Sequence, residues 1–267
     1  MLGIITWSIV ISLNFQDSYV NTPISSFQKS YEAMLAGKWS LAKELLAEMK
    51  RSNTKIDSSS LSRLVELSQS SIYNANVLTG LRLFKEYGVD FQKGDGHLLT
   101  IAAVHDKWGQ VTERLLQYGA DPNKPWVNYA NNRMAFTPLA YAAMGHNNLV
   151  QAKLLLKFGA HPDALSDMAF DEKGILRQHI TPLMLAIRGR KPEFVSLLLK
   201  SKAKVNLQCA EDGNTALHIA AQFDNAEGIK LLLQDGAKKS IRNKQKETAL
   251  MVARRLRSKN AISALSK

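Results

Sequence analysis

One short pattern recurs five times from residue 97 onward, and it constrains the fold of this chain more than any other feature. Each copy opens with a threonine or a histidine, has a leucine two residues later and reaches an alanine after three more. The copies begin at His97, Thr137, Thr181, Thr215 and Thr248. Leucine-rich runs follow the first four copies, at Leu115–Leu116, Leu154–Leu156, Leu197–Leu199 and Leu231–Leu233. A recurrence of this length predicts structural units that bury their apolar faces against one another.

The residues that begin and end each unit predict two helices per unit. Threonine caps free N–H groups at a helix start, and proline suits the first helical position, so Thr137-Pro138 and Thr181-Pro182 open helices. A glycine comes 21 or 22 residues after the opening residue, at Gly119, Gly159 and Gly236. Glycine readily adopts the left-handed conformation that commonly ends a helix. Lys202 holds this place in the unit that opens at Thr181, so we expect a strained or differently capped helix end there.

These motifs resemble the ankyrin repeat, whose first helix opens with Thr-Pro-Leu-His-x-Ala. The best copy is residues 212–221, which read Asp-Gly-Asn-Thr-Ala-Leu-His-Ile-Ala-Ala, and the closings at Gly119–Asn123 and Gly159–Asp163 also match. The resemblance covers about residues 60 to 267 and implies an all-α solenoid with β-hairpin fingers that binds proteins on its concave face. His218 is the only histidine at its motif position, so we expect weaker hydrogen bonding to the turn in the other units.

The pattern also predicts how the chain divides. Residues 21–56 contain two apolar-patterned helices, which we interpret as a degenerate N-terminal helical cap. Residues 57–267 form the ankyrin-like part, with approximate units at 57–91, 92–123, 133–163, 177–206, 211–240 and 244–267. In the first of these units, a helix near Leu61–Gln69 is followed by Ser70–Asn76, which we interpret as a long linker.

Two units are preceded by extra residues. The opening residues are separated by 40, 44, 34 and 33 positions, so the insertions fall just before Thr137 and Thr181, where this family has its hairpin fingers. Such loops cost little free energy, and these are rich in residue types that dominate binding hot spots. We expect a partner site formed by Trp126, Tyr129, Arg133, Met134, Phe136, Phe170, Arg177 and His179 from the fingers, and by Met144, Arg188 and Phe223 from the first helices. The alternative is that Trp126 and Phe170 pack back onto neighbouring helices and only anchor their loops.

The charge of the chain is uneven. The net charge is +12, and residues 181–267 hold 17 Lys and Arg against 7 Asp and Glu, a net of +10. This excess favours a partner with an acidic surface, or is simply a solvated face. A further alternative is attachment to anionic lipid or nucleic acid through the basic C-terminal repeats, although no nucleic-acid-binding motif accompanies the clusters, which makes nucleic acid the weaker partner.

No motif for catalysis or for a cofactor is found. There is no phosphate-binding loop, no nucleophile elbow, and no pair of histidines at metal-ligand spacing on a helix. A single cysteine, Cys209, excludes an intramolecular disulfide and a multi-cysteine zinc site, and the adjacent Glu211 and Asp212 should raise its pKa. We therefore expect a monomeric, non-enzymatic protein without metal or cofactor, which binds another protein.

The N-terminus leaves two alternatives open. Residues 2–13 are mostly apolar, too short for a membrane-spanning helix, and of the length of a signal-peptide core, with Val10 and Ser12 at the −3 and −1 positions of a cleavage site. No Lys or Arg precedes this run, and the first is Lys29. Residues 1–20 are thus a signal peptide or an apolar segment that packs on the first helices. If residues 1–18 are a signal peptide the protein is exported, and an exported inhibitor or immunity-type protein becomes an alternative function; otherwise it is cytoplasmic.

Overall fold

A computed structural model describes residues 26–53, 71–91, 97–105, 109–128, 134–145, 148–168 and 177–266. The residue contacts divide the chain into two units, Met1–Lys55 and Ile56–Lys267. In the first unit, helix α1 (Ser26–Leu35) packs against helix α2 (Trp39–Arg51). Met34 of α1 and Ala42, Leu46 and Met49 of α2 are buried, and their spacing in α2 is that of one helical face.

The second unit is built from helix pairs and two hairpins. Its helices are α3 (Ser71–Glu86), α4 (His97–His105), α5 (Gln110–Gln117), α6 (Pro138–Met144), α7 (Leu149–Lys157), α8 (Pro182–Arg188), α9 (Pro192–Lys200), α10 (Ala216–Gln222), α11 (Ala226–Gln234), α12 (Ala249–Arg255) and α13 (Lys259–Ser266). We call α4, α6, α8, α10 and α12 the inner helices, and the helix after each of them, together with α3, the outer helices. Each inner helix packs on the next inner helix and each outer helix on the next outer one, which is the arrangement of a solenoid.

The predicted start of the inner helices is confirmed. The hydroxyl oxygens of Thr137, Thr181, Thr215 and Thr248 each accept the backbone N–H three residues further on, at 3.3, 3.2, 3.4 and 3.4 Å. The alanines that follow are buried because two inner helices can approach closely only where the side chains are small. Ala102, Ala142, Ala186, Ala220 and Ala253 are all fully buried at the same position of their units.

The end of each outer helix also follows the expectation. Gly119, Gly159 and Gly236 have φ of 95°, 92° and 87°, in the left-handed region. Lys202, which replaces glycine in the unit that opens at Thr181, has a φ of 67°. A side chain with a Cβ is disfavoured in this conformation, so the strained helix end predicted at Lys202 is present.

The insertions before Thr137 and Thr181 form β-hairpins. Strand β1 (Trp126–Asn128) pairs with β2 (Met134–Phe136), and β3 (Ser166–Met168) pairs with β4 (Arg177–Ile180), both antiparallel. The two hairpins also pair with each other through Ala135 and Asp167, so the order is β1-β2-β3-β4 in one sheet. At its base, the Thr137 N–H donates to the buried Ser166 hydroxyl at 3.1 Å. We call this sheet the finger sheet.

The interpretation of Ser70–Asn76 as a linker was wrong. Helix α3 begins at Ser71 and continues without interruption to Glu86. Residues 71–76 contain no proline or glycine that would end a helix, and the helix that they begin has a buried face that includes Val77, Leu81 and Phe84. The preceding helix predicted near Leu61–Gln69 lies outside the described residues.

Candidate protein-binding surface

The inner helices are held in register by a repeated hydrogen bond. Three consecutive units each carry a side-chain donor in the turn between their inner and outer helices. This donor reaches a backbone carbonyl oxygen near the end of the preceding inner helix, always six residues after that unit's opening residue. These bonds run from Asn148 Nδ2 to Ala103 O at 2.6 Å, from Lys191 Nζ to Ala143 O at 2.8 Å, and from Asn225 Nδ2 to Ile187 O at 2.9 Å. Each side chain donates to one of the last carbonyl groups of an inner helix, and Ile187 O accepts the N–H of Arg190 as well. The surface built by the inner-helix ends is therefore fixed from one unit to the next.

Lys191 is the exceptional member of this series. Its ammonium group also donates to Gly145 O, so two carbonyl oxygens of the preceding turn receive one cation. Burial lowers the pKa of Lys191 to about 8, because the charged form loses hydration. A cation at the C-terminus of α6 is favoured by the helix dipole, which supports the charged form despite this loss.

A second series of bonds joins the ends of the outer helices. Asn123 Oδ1 accepts the N–H of His161 at 2.7 Å while its amide donates to Gly159 O at 2.9 Å. Two units further on, Asn206 repeats both bonds: its Oδ1 accepts the N–H of Lys238, and its amide donates to Gly236 O. Asp163 holds the equivalent place between them. Its carboxylate accepts from Lys204 N at 2.8 Å, but it has no N–H to donate. The joint at Lys202 therefore has one fewer donor than its neighbours.

Aromatic rings surround the base of the first finger. Trp126 and Phe136 are register partners across β1 and β2, and both rings contact Tyr141 of α6, with centroid distances of 6.1 and 5.6 Å. Burial raises the pKa of Tyr141. Trp126 remains half-buried, which leaves part of its indole accessible, whereas Phe136 is only 4% exposed.

Phe136, which the sequence analysis includes in the partner-binding set, is therefore buried and not accessible to a partner in the free chain. Its ring meets Tyr141 edge-on, and this packing anchors the finger on α6. Trp126 fits both roles considered for it, since it contacts Tyr141 as a loop anchor would and is still partly exposed as a partner contact must be. The sequence reasoning missed Tyr141. The signal available for it was an aromatic residue at a position where the other units have Leu185, Ile219 and Val252.

The predicted residues of the inner helices are exposed, and two of them meet. Met144 is 44% exposed and Phe223 is 39% exposed, while the Arg188 guanidinium lies 5.6 Å above the centre of the Phe223 ring. Arg190 donates to the backbone carbonyl of Phe223 from the same turn. An aromatic ring with a guanidinium over its face is a cation–π pair, here at the junction of two units.

The second finger is tied to the following unit by its last strand. His179 Nδ1 lies 3.1 Å from Glu211 Oε1, and the Cys209 thiol donates to Glu211 Oε2 at 3.2 Å. His179 has a φ of 69°, so its backbone is in the left-handed region. Burial raises the pKa of Cys209 to about 11, and the carboxylates of Glu211 and Asp212 act in the same direction. This confirms the predicted direction, although burial is the larger cause.

The remaining predicted site residues are placed only in part. Tyr129, Arg133 and Phe170 lie outside the described residues. Met134 and Arg177 are described as backbone positions, Met134 opposite Asn128 and Arg177 opposite Met168. Among the described residues, no group of three His, Cys, Asp or Glu is arranged to hold a metal ion.

The basic C-terminal units are partly neutralised from within. Arg255 donates to both carboxylate oxygens of Glu247, at 2.8 and 2.9 Å, which lowers the pKa of that carboxyl. In the part of the chain that the structure describes, no helix has the length and apolar character to cross a bilayer.

Helix pairs stacked through repeated inter-unit bonds, with hairpin fingers between them, define a helical-repeat solenoid. A family model of three ankyrin repeats matches residues 152–243 and 183–267, and a single-repeat model matches residues 136–167. The chain belongs to the ankyrin repeat family. Its fold is also that of the crystal structure of the ankyrin repeat domain of Bcl-3, a member of the IkappaB protein family, with a TM-score of 0.66, 23% identity, and coverage of 93% of this chain and 99% of that one.

Relatives by sequence share only part of their length with this chain. It is 34% identical over 118 residues to ankyrin repeat protein FPV031 of Fowlpox virus (strain NVSL), covering 44% of this chain and 32% of the viral protein. It is 35% identical over 111 residues to the transient receptor potential cation channel subfamily A member 1 of Homo sapiens, covering 40% and 9%. Protein PhlB of Serratia liquefaciens is 34% identical over 102 residues, covering 37% and 43%. The chain thus spans less than half the length of each of these relatives.

Proposed function

We propose that this chain is a non-catalytic module that binds a partner protein on the finger sheet and on the adjoining ends of the inner helices, the face expected to be concave. Ankyrin repeats are in general protein-interaction modules, which supports the class of function. The observation that carries the proposal is the joining of the two enlarged fingers into one four-stranded sheet. A joined sheet is a larger and more rigid platform than two separate loops, so less conformational entropy is lost on binding.

The half-buried Trp126 is the side chain we expect to contribute most from this platform. A tryptophan held against Tyr141 has a fixed orientation before the partner arrives, and tryptophan is among the residues enriched at binding hot spots. We include Phe170 from the insertion before Thr181, as the sequence predicts. The excess of positive charge in residues 181–267 supports a partner with an acidic surface.

The proposal is tested with the full chain as bait in an extract of its source cells. Trp126→Ala with Phe170→Ala should abolish capture of the partner while helical circular dichroism is unchanged. The matched control is Val150→Ala, an exposed apolar residue on the outer helix α7, which should leave capture intact. Capture that survives the double substitution contradicts the proposal, and loss of folding in the double variant supports the anchoring alternative instead.

The same experiment separates the alternative functions. A captured enzyme whose activity falls when the chain is added identifies an inhibitor, whereas a captured protein with unchanged activity identifies a scaffold. Capture of lipid vesicles or nucleic acid that disappears as salt rises, and that is insensitive to Trp126→Ala, assigns the function to the basic C-terminal repeats.

A further inference from the structure

Three exposed apolar side chains and one cationic side chain lie at the ends of four consecutive inner helices. Met144, Arg188, Phe223 and Leu256 stand seven or eight residues after the opening threonine of their units, and we call them the edge stripe. Met144, Phe223 and Leu256 are among the most exposed large apolar residues that the structure describes, at 44, 39 and 45%. Phe223 and Leu256 stand at the same position of neighbouring units, and large apolar side chains exposed in this way mark a contact surface.

The positive charge of the stripe is concentrated on one unit. Arg188 lies over the Phe223 ring, and Arg190 donates to the carbonyl of the same residue, so two guanidinium groups converge there. Within the described residues, the hydrogen bonds given for Arg190 and Lys191 are all to carbonyl oxygens, which do not cancel their charge. The unit that opens at Thr181 therefore presents a local cationic centre beside an aromatic ring.

Two acidic groups in the described part of the following units, Asp224 and Glu247, are engaged in other bonds. The carboxylate of Asp224, adjacent to Phe223 in the sequence, accepts from Asn260 Nδ2 and from the N–H of Ala261, both at 2.7 Å, at the start of α13. Glu247 is held by Arg255, which precedes the stripe residue Leu256 in the last unit. This pair removes one positive charge there, while Arg254 and Arg257 beside Leu256 remain exposed. The stripe residue itself is thus cationic at Arg188 and apolar at Leu256.

We infer that the edge stripe seats an acidic and apolar peptide segment of the partner, with a carboxylate on Arg188 and Arg190 and a large aliphatic or aromatic side chain on Phe223 and Leu256. This rests on the proposed function and names the chemistry of the partner. Neighbouring packed helices are about 8–10 Å apart, and an extended chain advances about 3.3 Å per residue. The carboxylate and the apolar side chain therefore fall within about three residues of each other in the partner segment.

The test is an unbiased selection of random displayed dodecapeptides on the full chain. We expect enriched peptides that carry Asp or Glu within about three residues of Leu, Ile or Phe. Their affinity, measured by fluorescence anisotropy, should fall about tenfold or more for Arg188→Glu and for Phe223→Ala. The matched control is Lys200→Glu, the same charge reversal at an exposed position on the outer helix α9, which should change affinity by less than about twofold.

Three results overturn the inference. They are the enrichment of peptides without acidic residues, equal loss of affinity in Lys200→Glu and Arg188→Glu, and the absence of any enriched peptide. Far-UV circular dichroism of each variant verifies that it is folded. The peptide selection can fail while capture of the partner protein still depends on Trp126 and Phe170. In that case the edge-stripe inference is wrong and the proposed function is retained, so the two outcomes can be told apart.

Discussion

The strained helix end at Lys202 makes a quantitative prediction. Its φ of 67° is in the region where an L side chain costs about 1–2 kcal/mol relative to the right-handed conformation. Glycine removes this cost, but it loses more conformational entropy on folding, which offsets about 0.5–1 kcal/mol of the gain in stability. Lys202→Gly should therefore raise the free energy of unfolding by about 0.5–1 kcal/mol.

Local hydrogen exchange is the appropriate assay, because stability is not uniform along a stack of repeats. The N–H groups of Lys202 and Ala203 donate to Leu199 O and Leu198 O at 2.9 and 3.0 Å and close the end of α9. Exchange of the Ala203 amide should slow by about twofold to fivefold in Lys202→Gly. The converse change, Gly159→Ala, should destabilise by a similar amount, since a Cβ at Gly159 meets no atom within 4 Å and the loss is only conformational.

Lys202→Ala is the control for charge. Alanine keeps the Cβ and hence the backbone strain, but it removes the ammonium group from a basic region. The account predicts no gain in protection for this variant. A gain in Lys202→Ala equal to that in Lys202→Gly would refute the reasoning, because the effect would then come from the lysine charge and not from the backbone.

Three further predictions follow from buried polar groups. Asn225→Ala removes both the donor to Ile187 O and the acceptor for the N–H of Gly228. The free energy of unfolding, measured by urea denaturation, should therefore fall by about 2 kcal/mol, and Asn225→Asp, which keeps the acceptor, should lose about half as much. Burial holds the pKa of His218 below its ordinary value of 6.5, so the unfolded chain binds more protons in acid than the folded chain does. The free energy of unfolding should therefore fall as the pH drops below about 6.5, and the fall should be shallower in His218→Gln. The half-buried Cys209 has a pKa of about 11, two units above the ordinary value of 9.0. It should react with iodoacetamide at pH 8 about 100-fold more slowly than in the urea-unfolded chain, and equal rates would contradict the raised pKa.

The local features of the fold could be read from the sequence because they depend on one residue each. Thr137-Pro138 predicts a helix start wherever it occurs, and Gly159 predicts a left-handed helix end. The spacing located the two insertions, since extra residues in a repeat with a fixed period must lie outside the packed helices. The resemblance to the ankyrin repeat then identified these insertions as hairpin fingers.

Features that depend on pairing between distant residues could not be predicted. The contact of Ala135 with Asp167, which joins the fingers, is set by the twist and length of both hairpins. The burial of Phe136 follows from the register of β1 and β2 on Tyr141, and a shift of one residue reverses the face on which a strand side chain lies. The composition of the finger indicated an exposed aromatic residue, but not which one.

The bonds from Asn148, Lys191 and Asn225 to the preceding unit had a sequence signal that was not used. All three donors stand ten or eleven residues after the opening residue of their units. Aligning the units by their opening residues shows a donor side chain at this place each time. The pattern is hard to recognise because one of the three donors is a lysine and the other two are asparagines. The structure shows that the Lys191 ammonium group makes the same bond as the asparagine amides.

The central claim is that a partner protein lies on the finger sheet and the inner-helix ends. Hydrogen exchange of the purified complex, compared with the free chain, tests it most directly. The account predicts slower exchange at residues 126–136 and 166–180 and at the ends of the inner helices near Arg188 and Phe223, with no change in the outer helices α7, α9 and α11. Protection confined to the outer helices, or to residues 238–267, would contradict it.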